Sequence, residues 1–468
     1  MKLVYQVEDK PSIGKTVVFA IQQLLAIMAA TLVVPVIIGN GMSPVAALFG
    51  AGVGTIVYLL FTKFKSPVFL GSSFAFINSM FAAFAGAATV ALGYLGLILG
   101  AIMGGLVYVA ISIAVKYAGV NWLNKLMPPV VIGPTVAIIG LSLAGNAIRD
   151  LQNGGVKNLL NQSVASPLLC VLCGLVTLFT VIICSSFGKK MVKLIPFIIG
   201  ILAGYVVAVI FTIIGNLADV EALQIVSFQS FKNLTADGVK LSTFISFPDF
   251  TFLKAFGAFG ELSGEYIGTI AAAYIPVAFV VFAEHVADHK NISSIIERDL
   301  LSEPGLDKTL LGDGVGSMAG AFFGGCPNTT YGESVACVAI SGNASVITII
   351  FAAIGAILIS FLSPFVAFVN SIPSCVMGGV CVALYGFIAV SGLKMIAKVD
   401  LGLNKNLFVV STILICGIGG LALTFGKVTI TSVATALILG IIVNLVLRNS
   451  KEGEETEEAA PAEESTEA

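Results

Sequence analysis

Charged residues are scarce in this chain of 468 residues. Lysine, arginine, aspartate and glutamate make up 11% of it, whereas hydrophobic residues make up 57% and the mean hydropathy is +1.02. A soluble domain carries about 25% charged residues. One globular core cannot hide such an excess of apolar side chains. The composition therefore excludes an ordinary soluble protein and predicts an all-α polytopic membrane protein.

Signatures of catalysis and of nucleic-acid binding are also missing. The chain has only two histidines, His285 and His289, and we find no nucleophile–base triad, metal-ligand set or Walker loop. The net charge is −2 and no basic cluster is present, which argues against a nucleic-acid partner. We expect a protein that is not an enzyme, with no cofactor and no metal. Without an ATP site, coupling to an ion gradient becomes the default for any transport.

About fourteen hydrophobic segments follow one another along the chain. With the N-terminus in the cytoplasm, 18 of the 24 lysine and arginine residues fall in cytoplasmic loops, as the positive-inside rule requires. We therefore predict fourteen spans in the cytoplasmic membrane, with both termini cytoplasmic. Seven spans on each side of a long external stretch, residues 216–260, make the two halves inverted repeats, a common plan in transporters.

The third and tenth segments are too short and too polar to be simple spans. They contain Gly71-Ser72-Ser73-Phe74 and Asn328-Thr329-Thr330-Tyr331, each before a half-length helical run. We interpret both as a short β-strand followed by a half-helix. Such strands are tolerable at membrane depth only when buried, and they would satisfy each other by pairing. The N-termini of the half-helices would then point N–H groups at a ligand.

Two glutamates, Glu284 and Glu333, lie in these otherwise apolar surroundings. A carboxylate near the bilayer centre costs about 2.5–3.5 kcal/mol, so it is by default a functional candidate. Asp288 lies one helical turn after Glu284 and makes a proton-titrating face with it. The alternative is that Asp288 and His289 begin a cytosolic loop, where charges are ordinary. Glu333 follows Gly332 at a half-helix N-terminus, which favours a charged, ligand-binding role.

Other candidates have an equally plain structural explanation. Phe74, Tyr331 and Tyr385 are aromatic candidates for the site, although an aromatic residue in a span usually serves packing. His285 points away from the Glu284 face and is expected to hydrogen-bond to a neighbour. The Gly-rich run Gly312–Gly316 resembles a dinucleotide loop, but it opens a membrane span, so it predicts close helix packing.

Several motifs together resemble a known family. QQLLAIMAATLVVPV, GSSFAFI, AEHVADH, PNTTYGES and LYGFIAVSGL are similar, in order and spacing, to the bacterial uracil permeases of the nucleobase–ascorbate transporter family. The resemblance runs from about Pro11 to Leu447. It implies a core domain that moves against a gate domain, and import of a nucleobase driven by protons. Relatives are often homodimers through the gate domain.

The resemblance also implies domain boundaries. The core domain would comprise residues 12–118 and 261–366, and the gate domain residues 119–215 and 367–448. Residues 216–260 would form an extracellular linker, and residues 449–468 a disordered acidic cytosolic tail. Lipid would surround the spans.

Residue roles follow from the same resemblance. Substrate binding would fall to Glu284, Glu333, Phe74, Gly332, Tyr331, Ala30 and Tyr385, and proton coupling to Glu284 and Asp288. Asp288 stands where a characterised uracil permease has a histidine and where purine-transporting relatives have aspartate, whereas the TTYGE segment favours a pyrimidine. Uracil is thus the first candidate substrate, and xanthine or another purine is the alternative. An anion transporter of the sulfate-permease type is a third alternative, because such proteins have a similar fold. An anion site, however, should lack the paired acids that this sequence contains.

Overall fold

The computed structural model describes residues 3–119, 127–158, 162–189, 191–236, 238–426 and 428–447. The predicted acidic tail, residues 449–468, lies outside this part of the chain. The orientation count also includes basic residues outside it: Lys2, Lys125, Lys190, Lys427, Arg448 and Lys451.

Helices dominate the first half of the chain, with one short strand among them. In order the elements are α1 (Ile13–Ile38), α2 (Pro44–Phe61), β1 (Leu70–Ser72), α3 (Ile77–Ala85), α4 (Val90–Ala118), α5 (Pro129–Ser142), α6 (Ala144–Leu151), α7 (Pro167–Phe187), α8 (Met191–Leu194) and α9 (Pro196–Ala218). The joint between the halves holds a 3₁₀ turn and three short helices: Glu221–Leu223, α10 (Gln229–Thr235), α11 (Leu241–Phe244) and α12 (Thr251–Ala255).

The second half begins after another 3₁₀ turn, Ala258–Glu261, and repeats the same order of long helices around a short strand. Its elements are α13 (Gly264–Ile296), α14 (Leu306–Gly324), β2 (Asn328–Thr330), α15 (Gly332–Ser341), α16 (Val346–Ile359), α17 (Ser363–Ser371), α18 (Ser374–Ile396), α19 (Asn404–Ile418), β3 (Leu423–Phe425), β4 (Val428–Ile430) and α20 (Ser432–Val446). A π-helical turn, Leu301–Gly305, precedes α14.

Many of these helices are long enough to span a membrane. Among the described residues, eight helices are long and apolar enough to cross a bilayer, and four shorter apolar helices of 10–17 residues accompany them. The count of fourteen spans stays a prediction, but each predicted span position is occupied by a helix or by a strand and half-helix. One boundary differs from expectation: β1 begins at Leu70, one residue before the predicted extended piece.

Packing between the helices is symmetric under exchange of the two halves. Helix α2 packs on α14, and α5 packs on α18. Two further contacts have counterparts seven spans away: α4 on α13 matches α16 on α1, and α7 on α9 matches α19 on α20. The helices thus form two groups, with α1, α2, α4, α13, α14 and α16 in one and α5, α7, α9, α18, α19 and α20 in the other. The domain boundaries themselves stay a prediction.

Glycines allow the central pair α2 and α14 to approach closely. A Cβ on Gly54 would lie 2.7 Å from the carbonyl oxygen of Gly316, and a Cβ on Gly316 would lie 2.7 Å from that of Gly54. One turn away, a Cβ on Gly50 would clash with the carbonyl oxygen of Gly320, whereas a Cβ on Gly320 would clash with the side chain of Asn328. Any larger residue would force the two helices apart, so small residues four apart set this contact, as is common between membrane helices. The Gly312–Gly316 run therefore serves close packing, as predicted.

Candidate functional site

Two short strands pair with each other at the centre of the first helix group. β1 and β2 pair antiparallel, with Leu70 opposite Thr330, Gly71 opposite Thr329 and Ser72 opposite Asn328. The Ser73 N–H donates to the carbonyl oxygen of Pro327 at 2.9 Å and lengthens the pairing by one bond. All six strand residues are buried. One strand comes from each half, so neither half can complete this element alone.

Side chains satisfy backbone groups at the outer edges of the strand pair, where water is excluded. The contacts are Leu70 N–H to Thr55 Oγ1 (2.9 Å), Phe69 N–H to Ser334 Oγ (3.0 Å), and the hydroxyl of Tyr331 to the carbonyl oxygen of Ser72 (2.7 Å). An unsatisfied backbone group in hydrocarbon costs several kcal/mol. Hydroxyl groups of Thr55 in α2, of Ser334 in α15 and of Tyr331 therefore hold the extended backbone in place.

A cavity of about 440 Å³ opens beside the strand pair, at the N-termini of both half-helices. Its walls come from both helix groups. The first group, with the strands and half-helices, contributes Ser73, Phe74, Ala75, Ala283, Glu284, Ala287, Asp288, Thr329, Thr330, Tyr331, Gly332, Glu333 and Ala336. The second contributes Ile132, Val136, Ile139, Phe197, Leu384, Phe387, Ile388, Ser391 and Met395. The polar groups cluster on one wall and the opposite wall is largely apolar, which is usual for a small-molecule site.

Three carboxyl groups line this cavity. Glu284 and Asp288 lie one turn apart on α13, and Glu333 lies in the first turn of α15. The Thr330 hydroxyl donates to Asp288 Oδ2 at 3.0 Å. In the described part of the chain, no lysine, arginine or histidine lines the cavity. Carboxyl groups accept hydrogen bonds when ionised and donate one when protonated, so the cavity is suited to a ligand with N–H donors.

Six of the predicted site residues meet at this cavity. Phe74, Glu284, Asp288, Tyr331, Gly332 and Glu333 all line it. Helix α13 runs on to Ile296, so Asp288 is part of the helix and does not begin a loop.

Two predicted site residues do not line the cavity. Ala30 is buried within α1. Tyr385 is buried on α18, with its ring centroid 6.3 Å from that of Phe74 and the rings at 76°. Both were assigned by resemblance, and Tyr385 contacts the ring of Phe74, which does line the cavity.

Sequence reasoning missed several polar partners. Thr330 was noted only as a strand former, although its hydroxyl contacts Asp288. Asp313 lies in the glycine run assigned to packing, yet its Oδ2 is hydrogen-bonded to His285 Nδ1 at 2.7 Å. Both side chains are buried. The expected partner of His285 is thus a carboxylate, and an acidic residue inside an apolar glycine run was the signal for it.

A second cavity of about 720 Å³ adjoins the first. The two share Ile132, Ala283, Ala287 and Met395. The second cavity extends towards Lys116 and Lys290, at the C-terminal ends of α4 and α13. The site therefore has a route to the surface on the side of the molecule where these helices end.

The fold spans the membrane several times, and its site lies at half-helices between two helix groups. These features are typical of one class of membrane protein, the carriers built from inverted repeats. Residues 14–425 match the Permease family (Xan_ur_permease), and the chain belongs to that family. It is 37% identical over 451 residues to the uracil permease of Bacillus caldolyticus, with 95% of each chain covered. It is 33% identical over 445 residues to the uracil permease of Escherichia coli K12, covering 94% of this chain and 93% of the relative. Relatives named as permeases are transport proteins rather than enzymes.

Solved structures show the same fold at low identity. The transmembrane domain of the cyanobacterial bicarbonate transporter BicA aligns with a TM-score of 0.60 and 15% identity, covering 94% of this chain and 99% of that one. Murine solute carrier 26 family member A9, an anion transporter in the inward-facing state, aligns with a TM-score of 0.65 and 10% identity, covering 94% and 69%. The predicted fold class, a helical polytopic membrane protein of the core-and-gate type, is confirmed.

The Tyr331 hydroxyl gives a test of the strand pair. In Tyr331→Phe the buried carbonyl oxygen of Ser72 loses its donor, so we expect the free energy of unfolding to fall by about 1–3 kcal/mol. Thermal or denaturant unfolding in detergent measures this. Tyr117→Phe, at a residue that is 80% exposed, is the matched control and should be neutral. Equal stability of both variants would show that the strand edge does not depend on Tyr331.

Proposed function

We propose that the protein is a proton-coupled symporter that imports a nucleobase, with uracil as the substrate. The observation that carries the proposal is the pairing of Glu284, on a continuous helix, with Glu333, at a half-helix N-terminus, on one wall of a single cavity. The names of the curated relatives, which are uracil permeases, support the choice of substrate.

Uracil has the complementary chemistry. Its flat ring offers N–H donors beside carbonyl acceptors, and carboxylates of Glu284 and Glu333 accept from the donors. Backbone N–H groups at the start of α15 serve the carbonyl groups, and Gly332 lets the ring approach the backbone. Phe74 stacks on the ring face, with Tyr385 packed behind it. Tyr331 and Ala30 complete the proposed set, Tyr331 as a wall of the cavity and Ala30 as packing beneath it.

Protons would be carried on the face formed by Glu284 and Asp288. These two acids share a cavity with Glu333 and have no basic residue on its described walls. Protonation of one acid removes a repulsive charge as the ring binds, and its release on the other side of the membrane reverses this. Such a proton drives transport if the outward-facing and inward-facing states bind it differently.

The position of the cavity between two helix groups supports alternating access. The first group would act as the core domain, carrying the acids and half-helices, and the second as the gate domain that closes over the ring. The adjoining cavity leads towards Lys116 and Lys290. By the positive-inside rule this would be the cytoplasmic side, and the proposal therefore assigns the cavities to an inward-facing state.

We propose the same orientation for the whole chain, so that both termini would lie in the cytoplasm and the protein would span the cytoplasmic membrane. Arg298 donates to Glu8 on this side and holds the pKa of that carboxyl below its ordinary value. Large apolar side chains on α7 and α9, such as Leu168, Phe187 and Leu217, are exposed and would contact lipid. Part of this gate surface would instead be covered in a homodimer, as the family resemblance implies.

An anion as substrate fits the cavity poorly. Three acids and no basic residue on its described walls give it the wrong sign of charge for an anion. The likeness to anion transporters, at 15% identity or less, concerns the fold alone. The nucleobase proposal accounts for the acids, because they accept hydrogen bonds from ring N–H groups.

Uptake of labelled uracil tests the proposed function. Cells that lack their own uracil transporters should accumulate uracil when they express this protein, and a proton ionophore should abolish that accumulation. Excess unlabelled uracil should compete, and excess xanthine should not. Uptake that ignores the ionophore would contradict proton coupling, and competition by xanthine alone would contradict uracil as the substrate.

Glu333→Gln tests the binding role of the half-helix acid. Loss of a charged acceptor costs about 1.5–3 kcal/mol, so we expect the affinity for uracil to fall by roughly 10–150-fold. Equilibrium binding of labelled uracil to the purified protein measures this without requiring transport. Glu221→Gln, at an exposed glutamate of the external joint, is the control and should bind normally. Wild-type affinity in Glu333→Gln would place the ring elsewhere.

A further inference from the structure

A third, very small cavity lies beside the strand β2. Its volume is about 10 Å³, close to the minimum that holds one water molecule. Its lining includes Tyr108 of α4, Asp313 of α14 and Asn328 of β2. Thr329 of β2 also lines it, and Thr329 lines the cavity that contains Glu284 and Glu333 as well. The two cavities are therefore separated by one residue of the strand.

Three oxygen atoms around this small cavity have no protein partner among the described residues. They are the hydroxyl of Tyr108, Oδ1 of Asp313 and Oδ1 of Asn328. The side chains are only 4%, 1% and 1% exposed, respectively. A buried polar group without a hydrogen bond is costly, and three around one cavity are unusual in a native protein.

The other polar atoms of Asp313 and Asn328 are already engaged. Asp313 Oδ2 is hydrogen-bonded to His285 Nδ1 at 2.7 Å, and Asn328 Nδ2 donates to the carbonyl oxygen of Gly50 at 3.0 Å. Each residue therefore presents one acceptor oxygen to the cavity, whereas the Tyr108 hydroxyl can donate.

We propose that this cavity is a binding site for one ordered water molecule. The water donates to Asp313 Oδ1 and Asn328 Oδ1 and accepts from the Tyr108 hydroxyl, which matches the roughly three hydrogen bonds that buried waters make. A hard cation such as Na⁺ or Mg²⁺ would need more oxygen ligands than these three side chains supply. The inference does not depend on which solute the protein carries.

The water joins three elements, of which α4 and α14 are already linked by the hydrogen bond from the Ser112 hydroxyl to the carbonyl oxygen of Asp307 (2.6 Å). It ties β2 to α4 and α14, and through Asp313 and His285 it reaches α13, which carries Glu284. Strand β2 thereby gains a water-mediated hydrogen bond on the side where the small cavity lies. Water-mediated bonds of this kind are nearly as favourable as direct ones.

Removal of the Tyr108 hydroxyl tests the proposal, because a bound water predicts a lower melting temperature and an empty cavity does not. If a water is bound, Tyr108→Phe removes its donor and lowers the melting temperature in detergent, by about 2 °C. Without a water, the same change removes an unsatisfied buried hydroxyl and leaves the melting temperature equal or higher. Tyr274→Phe is the matched control, because its buried hydroxyl also lacks a partner in the described residues but does not line this cavity. That variant should not lose stability.

An experimental structure at about 2 Å provides the second readout. Density for one water within hydrogen-bond distance of all three oxygens is expected. An unchanged or raised melting temperature in Tyr108→Phe would overturn the proposal, as would a structure in which the three side chains contact one another directly. Stabilisation of the wild type by Na⁺ but not K⁺, lost in Tyr108→Phe, would also overturn it in favour of a cation.

Discussion

Backbone hydrogen bonding at membrane depth is the constraint on which this structure depends. Extended backbone cannot be exposed to lipid, because no solvent is present to pair with its N–H and C=O groups. The chain nevertheless places two strands, Leu70–Ser72 and Asn328–Thr330, among the buried residues at its centre. Each strand supplies the backbone partners of the other, and hydroxyl side chains complete their edges. The two halves of the chain are therefore bound to each other through these two strands.

The position of the site is a consequence of this strand pairing. Strands that end at the centre of the protein oblige the helices after them to begin there, so two half-helix N-termini open on one cavity. Glu333 occupies the first turn of one of them, where the helix dipole favours an acid. Glu284 and Asp288 come from a different kind of element, a continuous helix. The proposed division of labour, with ligand binding at Glu333 and proton transfer on the Glu284–Asp288 face, follows from that difference.

Much of this arrangement was predictable, for identifiable physical reasons. Carboxylates in apolar segments are expensive, so Glu284 and Glu333 stood out, and the structure brings both to one cavity. Serine, threonine and glycine before two short apolar runs indicated the strands, although β1 begins one residue early. Asp313 was missed because its glycine neighbours indicated packing, and its pairing with His285 depends on how α13 and α14 meet in space. No local pattern could show that Tyr385 lies behind Phe74, because that contact joins the two helix groups. The roles of the site residues stay predictions.

The location of bound uracil tests the central claim most directly. An experimental structure of the purified protein with uracil should show the ring beside Phe74, with its N–H groups on the carboxyls of Glu284 and Glu333 and a carbonyl group at the N-terminus of α15. Uracil bound away from these residues, for example only in the adjoining cavity near Lys116 and Lys290, would contradict the account.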